Sequence, residues 1–230
     1  MRVLRGRAST IERDHAVTQS LLSEPIETAV RVWRPLRHVA FGPRDVREDR
    51  YERACETARK LGYGTYERSV GGRAVAYTGT TICFAHIDTV ADQRAGLTGR
   101  YERILDRLRI ALDAVDVAAE RGEPEAAFCP GTHSLSAGGK LVGIAQRVRQ
   151  NAALTAGIVV PRDRDELIAV LEPIYAELDI PFDPDAMGSI RQAGSEASPE
   201  RVRQAIEDAL VTGSERDATQ IQRERVPVGI

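Results

Sequence analysis

Apolar and polar residues alternate along this chain with two different periods, and the switches between them mark out its elements. Between positions 97 and 119 the apolar set Ile104, Leu108, Leu112 and Val115 falls at i, i+4, i+8 and i+11, which predicts the longest helix of the molecule. The same period predicts shorter helices over 12–23, closed by Pro25, and over 47–61, 163–178 and 199–210, the last with Ser198 placed to cap it. Alternation with period two predicts strands over 28–33 and 37–42. Three short strands follow between 64 and 87, separated by a glycine pair or Thr-Gly turns, and strand character returns from 127 to 160. Helices and strands therefore come in blocks, and the order predicts an α+β fold with a mixed, largely antiparallel sheet flanked by helices. No repeat period is visible. Residues 1–211 read as one domain, and 212–230, without apolar periodicity, as a frayed tail.

Composition narrows the partners. The chain has 34 acidic against 32 basic residues, a net charge of -2 over 230 residues, so no global field draws it to nucleic acid or to an anionic membrane. Cys55, Cys83 and Cys129 cannot all pair, and none is spaced Cys-x-x-Cys, which points to a reducing, cytoplasmic setting. The first residues carry basic side chains but no apolar run, and nowhere do about 18 apolar residues stand together, so neither a secretory signal nor a membrane span is expected. Nearly every basic residue is arginine. Lysine occurs only at Lys60 and Lys140.

That makes the surroundings of Lys140 informative. It follows the pair Gly138-Gly139, a hairpin signal because a type I′ turn needs positive φ at both central positions. Lys140 then opens a strand on whose one face stand Lys140, Val142, Ile144 and Gln146. A lysine there either holds an acyl carbonyl or phosphate as a point charge or is simply solvated. Eleven residues earlier, Cys129 precedes the break Pro130-Gly131. It is either a small buried apolar residue or a nucleophile, with His133 as a candidate base. If the hairpin ran straight back, Cys129 would oppose Val148, roughly 26 Å from Lys140 at about 3.3 Å per residue. The two can cooperate only if the cysteine loop folds back.

A second constellation is Arg68-Ser69-Val70-Gly71-Gly72-Arg73 ahead of the apolar strand that begins Ala74-Val75. Consecutive N–H groups of glycines can cradle a carboxyl, phosphate or acyl carbonyl, and a glycine pair between strands can equally be a plain turn. The segment lacks the P-loop order and opens no helix, so neither nucleotide motif is present. Cys83 and Cys55 read as core residues. His15, His38 and His86 form no ligand set of recognised spacing, so no metal site is expected, and no Ser-His-Asp triad stands out.

Taken together, RSVGGRAVAY at 68–77 and CPGTHSLSAGGKLVGIAQRV at 129–148 resemble the lipoate-protein ligase and octanoyltransferase family, whose catalytic fold is shared with biotin ligases. RVWRPLRHVAFGPRD at 31–45 resembles that family's N-terminal strand pair, and the likeness spans about 12–180. The resemblance implies that Arg68, Gly71, Gly72, Ala74 and Val75 line the acyl pocket together with Thr132 and Gly143, and that Lys140 contacts the acyl carbonyl or an adenylate. A cysteine before Pro-Gly-Thr is similar to the octanoyl/lipoyl amidotransferase branch, which makes Cys129 the thiolate that accepts the acyl group as a thioester. Val142, Ile144 and the strand after Ala74 are then candidates for the acyl tunnel. Two positions depart from the family pattern: Val70 stands where a serine is usual, and Ser134 where an aspartate would bring a charge to the cysteine.

The function so implied is transfer of an octanoyl or lipoyl group between carriers such as the glycine cleavage H protein, 2-oxoacid dehydrogenase E2 domains or acyl carrier protein, with no cofactor. The rivals are an ATP- and Mg2+-dependent lipoate ligase, in which Lys140 matters and Cys129 is incidental, and a non-catalytic carrier-binding homologue.

Overall fold

The computed structural model describes residues 1–23, 28–69, 71–90, 96–149, 151–212 and 221–226. Strands β1 (Arg2–Arg5), β2 (Thr28–Trp33), β6 (Ile82–Thr89), β7 (Glu120–Arg121), β8 (Ser134–Ser136), β9 (Lys140–Arg149), β10 (Ala152–Val159) and β11 (Gln222–Arg225) form one eight-stranded sheet, ordered β11-β1-β2-β6-β10-β9-β8-β7. The pairs β11–β1 and β1–β2 are parallel, and the rest of this sheet is antiparallel. Strands β3 (His38–Phe41), β4 (Gly64–Glu67) and β5 (Val75–Tyr77) form a second, smaller sheet, ordered β4-β3-β5.

Alternation along the central strands sends side chains to two cores. Ala29, Trp33, Cys83, Ala85, Ile87, Leu154 and Ile158 face the first core, which they share with the small sheet and with α1 (Ile11–Leu21), α2 (Tyr51–Lys60) and α4 (Arg164–Glu177). Val30, Val32, Ile82, Phe84, Val142 and Val159 face the second, beneath α3 (Leu97–Asp113) and α5 (Pro199–Thr212). The result is the α+β arrangement expected, a mostly antiparallel sheet with helices against it.

Three expectations change. The long helix stops at Asp113, because the chain turns through Asp116 at φ 60; Val115 and Val117 still enter the second core from that turn. Helix α2 starts at Tyr51 after a single 3-10 turn at Asp45–Arg47. Part of the expected frayed tail is a strand: β11 pairs in register with β1, and Val226 beyond it is buried. Residues 213–220 and 227–230 of that tail, and Pro25, lie outside the described residues. Ser198 caps α5 as expected, its Oγ accepting from Arg201 N at 3.2 Å.

Candidate active site

The loop after β7 and the β8–β9 hairpin bring Cys129 and Lys140 together. The pairing Leu135↔Val142 is followed by Ser136↔Lys140, so β9 carries one extra residue, Leu141, opposite a single step of β8. Such a bulge re-aims the side chains on one side of it. Val142 goes to the second core, while the Lys140 stem lies over Gly143, where a Cβ would stand 3.2 Å from Lys140 Cε. The expected common face of Lys140, Val142 and Ile144 is therefore broken between Lys140 and Val142. The turn itself has φ 62 at Gly138 and 124 at Gly139, as the glycine pair predicted.

Lys140 is buried, and its ammonium donates to Phe128 O at 3.0 Å, Cys129 O at 3.0 Å and Glu123 Oε1 at 2.7 Å. The cysteine loop thus folds back over the lysine instead of running down the hairpin. Cys129 is partly buried and sits at φ 42, a left-handed conformation that an L-residue adopts only when its surroundings impose it. They do so through Tyr175 of α4. Its hydroxyl accepts from Cys129 N at 2.6 Å and donates to Ala74 O at 3.0 Å, which ties the cysteine turn to the segment before β5.

The first constellation lies against the sulfur. Arg68, which extends β4 by donating its N–H to Phe41 O at 2.9 Å, points a guanidinium N–H at Cys129 Sγ at 3.3 Å and also donates to Arg73 O. Gly71, at φ 90, leaves room for it, since a Cβ there would fall 1.8 Å from Arg68 Nη1. Burial pushes the Cys129 thiol up, but the Arg68 charge, the backbone N–H groups of Arg73 and Gly72 and the Lys140 charge together outweigh it and hold the thiol below its ordinary value. The backbone N–H groups that face the Cys129 sulfur come from Gly72 and Arg73, so the second glycine and the residue after it, not the glycine pair, make the cradle. By contrast, burial drives the Cys83 thiol far up.

A cavity of about 130 Å3 opens in front of Cys129. Arg68, Val75, Lys140 and Gly143 line it, as do Ile144, Ala156, Ile158 and Trp33. Of the other expected residues, Ala74 is buried beside the site and contributes its carbonyl to Tyr175, and Thr132 is exposed. Val142 belongs to the second core, and Val70 lies outside the described residues. His133, the candidate base, lines the cavity. Its ring stacks on Tyr101, with centroids 3.6 Å apart, and among the described residues it makes no hydrogen bond to Cys129. The Ser134 hydroxyl donates to the carboxylate of Glu123, which lies in the segment just ahead of Cys129. Tyr175 and Glu123 were not read from the sequence. The acidic residue in EPEAAF just ahead of Cys129 was the available signal for Glu123, whereas Tyr175 looks like any core aromatic of a helix. His15 and His38, taken as scattered, meet with their Nε2 atoms 3.2 Å apart, and among the described residues no group of three metal-ligating side chains occurs.

The sequence pattern of the lipoyl protein ligase A/B catalytic domain matches residues 8–211, and the chain belongs to that family. Among curated proteins it is 27% identical over 135 residues to the octanoyl-GcvH:protein N-octanoyltransferase of Geobacillus kaustophilus, covering 58% of this chain and 48% of that protein. It is 24% identical over 154 residues to the lipoyl-GcvH:protein N-lipoyltransferase of Listeria monocytogenes, covering 66% and 55%. The chain thus spans about half the length of these relatives. Its fold is similar to that of a lipoate-protein ligase A solved with ATP bound, at TM-score 0.76 and 19% identity over 98% of this chain and 89% of that one. It is also similar to the bipartite lipoate protein ligase of Thermoplasma acidophilum, from a study that includes its E2 lipoyl domain, at TM-score 0.70 and 18% identity over 98% and 87%. Among the described residues no helix is long and apolar enough to cross a membrane.

Proposed function

We propose that this protein is an acyltransferase that moves an octanoyl or lipoyl group from one carrier protein to a lysine of another, through a thioester on Cys129. The observation that carries the reading is the state of that sulfur: a cysteine held in a left-handed turn, its thiol lowered by Arg68 and two backbone N–H groups, facing an apolar-walled cavity. A thiolate stabilised in such a cradle is a prepared nucleophile.

In the first half-reaction Cys129 Sγ attacks the acyl carbonyl of the donor carrier. A carbon–sulfur bond forms, the bond to the donor breaks, and the departing lysine nitrogen takes up a proton. In the second, the lysine amine of the acceptor attacks the thioester, a carbon–nitrogen bond forms, Sγ leaves, and the attacking nitrogen gives up a proton. Amide is exchanged for amide; where the donor is an acyl carrier thioester, the carrier's thiol is the leaving group instead of a lysine amine, and in either case neither ATP nor a metal is called for. In this reading the N–H groups of Gly72 and Arg73, which face the sulfur at rest, receive the carbonyl oxygen as charge develops on it. Lys140 supplies positive charge and a fixed turn. All three of its donors are engaged by protein oxygens, so it supports Cys129 from behind. The carriers are lipoyl-bearing proteins of the kind named in the relatives, the glycine cleavage H protein and E2 lipoyl domains, met in the cytoplasm, and residues 1–211 act as one catalytic unit.

The test is the intact mass of the protein after incubation with an octanoylated or lipoylated carrier and no ATP, beside Cys129→Ala. The expected result is one acyl adduct that hydroxylamine removes and that the variant lacks. No adduct with any carrier, but carrier modification once free lipoate and MgATP are supplied, would replace this reading with an adenylate-forming ligase.

A further inference from the structure

An ammonium taken out of water is costly unless it is paired and its donors are satisfied. The Lys140 side chain is 1% exposed, and Glu123 is its counter-charge, with Oε1 at 2.7 Å from Nζ. Glu123 differs from its partner in being 20% exposed, at the rim of an open surface groove that also includes Gly122, Gly138 and Gly194. Its second oxygen accepts from Ser134 Oγ, so the carboxylate is held by residues on both sides of the hairpin turn. The chain of contacts runs from Ser134 to Glu123, to Lys140, to the carbonyls of Phe128 and Cys129, and ends at the turn that sets the direction of Sγ.

We propose that Glu123 is a positioning residue for acyl transfer, holding the Lys140 ammonium seated against the Phe128 and Cys129 carbonyls so that the turn presents the Cys129 sulfur. This rests on the transferase reading. The carboxylate acts through Lys140 and touches no reacting atom. The charged groups that surround Lys140 are Glu123 from the segment before β8, Cys129 from its own loop, Arg68 from the segment after β4, and, behind Met187, Arg164, which donates to Met187 O at 2.6 Å. Glu123 is the anion among them that contacts the ammonium directly. Its removal leaves a buried cation without its counter-charge, which swings toward water and away from the Phe128 and Cys129 carbonyls, so the sulfur loses a supporting charge.

The experiment follows alkylation of Cys129 by iodoacetamide against pH, with intact mass to assign the site, in the wild type, E123Q, E123D, K140Q and E123Q/K140Q, with octanoyl transfer measured alongside. E123Q is expected to raise the alkylation midpoint by about one pH unit. It is also expected to lower kcat about tenfold with KM for the carrier unchanged, and E123D to restore most of both. On the K140Q background E123Q is expected to add nothing. An unchanged midpoint overturns the proposal, and so does a downward one, the sign expected if Glu123 merely repelled the thiolate. A shift of equal size on the K140Q background overturns it as well. Should E123Q fail to fold, S134A takes its place, with and without K140Q, because it leaves the ion pair and removes the Ser134 hydrogen bonds to Glu123 and to Gly131 O; a shift of equal size on the K140Q background then comes from the Gly131 contact and overturns the proposal. A partial upward shift absent on the K140Q background supports the proposal and a wild-type profile overturns it. If the wild type forms no acyl adduct, the transferase reading falls on its own and the midpoints still judge Glu123.

Discussion

A thiol is a poor nucleophile until it gives up its proton, and at Cys129 two separate pieces of chain, the Arg68–Arg73 segment and Lys140, contribute to making that easier. Arg68 supplies the nearest charge, so Arg68→Met, which keeps the stem and removes the guanidinium, should return the thiol toward its ordinary range. Because the thiol is lowered in the native protein, reactivity rises with pH and levels off early; in the variant the same rise is displaced upward. Iodoacetamide labelling at pH 7 should fall about tenfold or more. Tyr175 makes a second prediction. Tyr175→Phe keeps the ring in the first core but leaves Cys129 N without its acceptor and Ala74 O without its donor, at about 1–3 kcal/mol for groups so buried. A melting experiment should show that loss, and kinetics a fall in kcat with carrier KM preserved, since the residue shapes the turn and not the docking surface. Cys129, Lys140 and Arg68 could be found in the sequence because each interrupts its surroundings: a cysteine before Pro-Gly, one of only two lysines, an arginine before a glycine pair. Tyr175 could not, because its role arises from a hydrogen bond across 46 residues that leaves no local trace.

Among the elements, the point where strict alternation failed is where the chemistry sits. Period two placed Lys140, Val142 and Ile144 on one face, and one bulged residue, Leu141, put the lysine on the cavity side and left Val142 in the second core. The bulge is pinned by a close backbone crossing. Gly139 lies against the segment at Met187–Gly188, where a Cβ would stand 2.6 Å from Gly188 N and 2.7 Å from Met187 C, and Gly188 N donates to Lys140 O at 3.1 Å. Backbone atoms cannot step aside as a side-chain tip can. Gly139→Ala, which also strains φ 124, should cost about 2–4 kcal/mol. It should lower Cys129 labelling as well, because the start of β9 must shift. A Gly138→Ala control meets no neighbour within 4 Å and carries only the penalty of its positive φ. Strands β1 and β11 escaped the reading for the opposite reason. RVLR is too short to establish a period, and QRER has no apolar residue at all, so β11 exists only because the edge of β1 accepts it.

At the scale of the whole molecule, α1, the small sheet and the large sheet close around the cavity, and the block order of helices and strands was enough to foresee their α+β class but not which parts would meet. His15 of α1 and His38 of β3 are the clearest case. They are 23 residues apart in sequence, with nothing in the spacing to pair them, yet they share a 3.2 Å contact. His15 also stacks on Tyr66 of β4 with centroids 3.8 Å apart. Leu36 O, at 2.7 Å from His38 Nδ1, can only accept, so Nδ1 carries the proton and His38 Nε2 accepts from His15 Nε2–H. A proton added to His38 would set two N–H groups against each other. Burial first, then the neighbouring His38, lowers His15 from 6.5 to about 4, and burial lowers His38 as well. The sign of the pH effect follows. Below about 6.5 the unfolded chain binds protons that the folded one refuses, so stability is full above that value and declines as pH falls toward about 4. Melting temperatures should therefore fall across that window by the equivalent of about 1–3 kcal/mol. In His15→Phe, which keeps a ring on Tyr66 and removes the titration, the curve should start lower and fall less steeply. A variant that melts lower at every pH by a constant amount would mean that the pair holds α1 to the small sheet by packing alone.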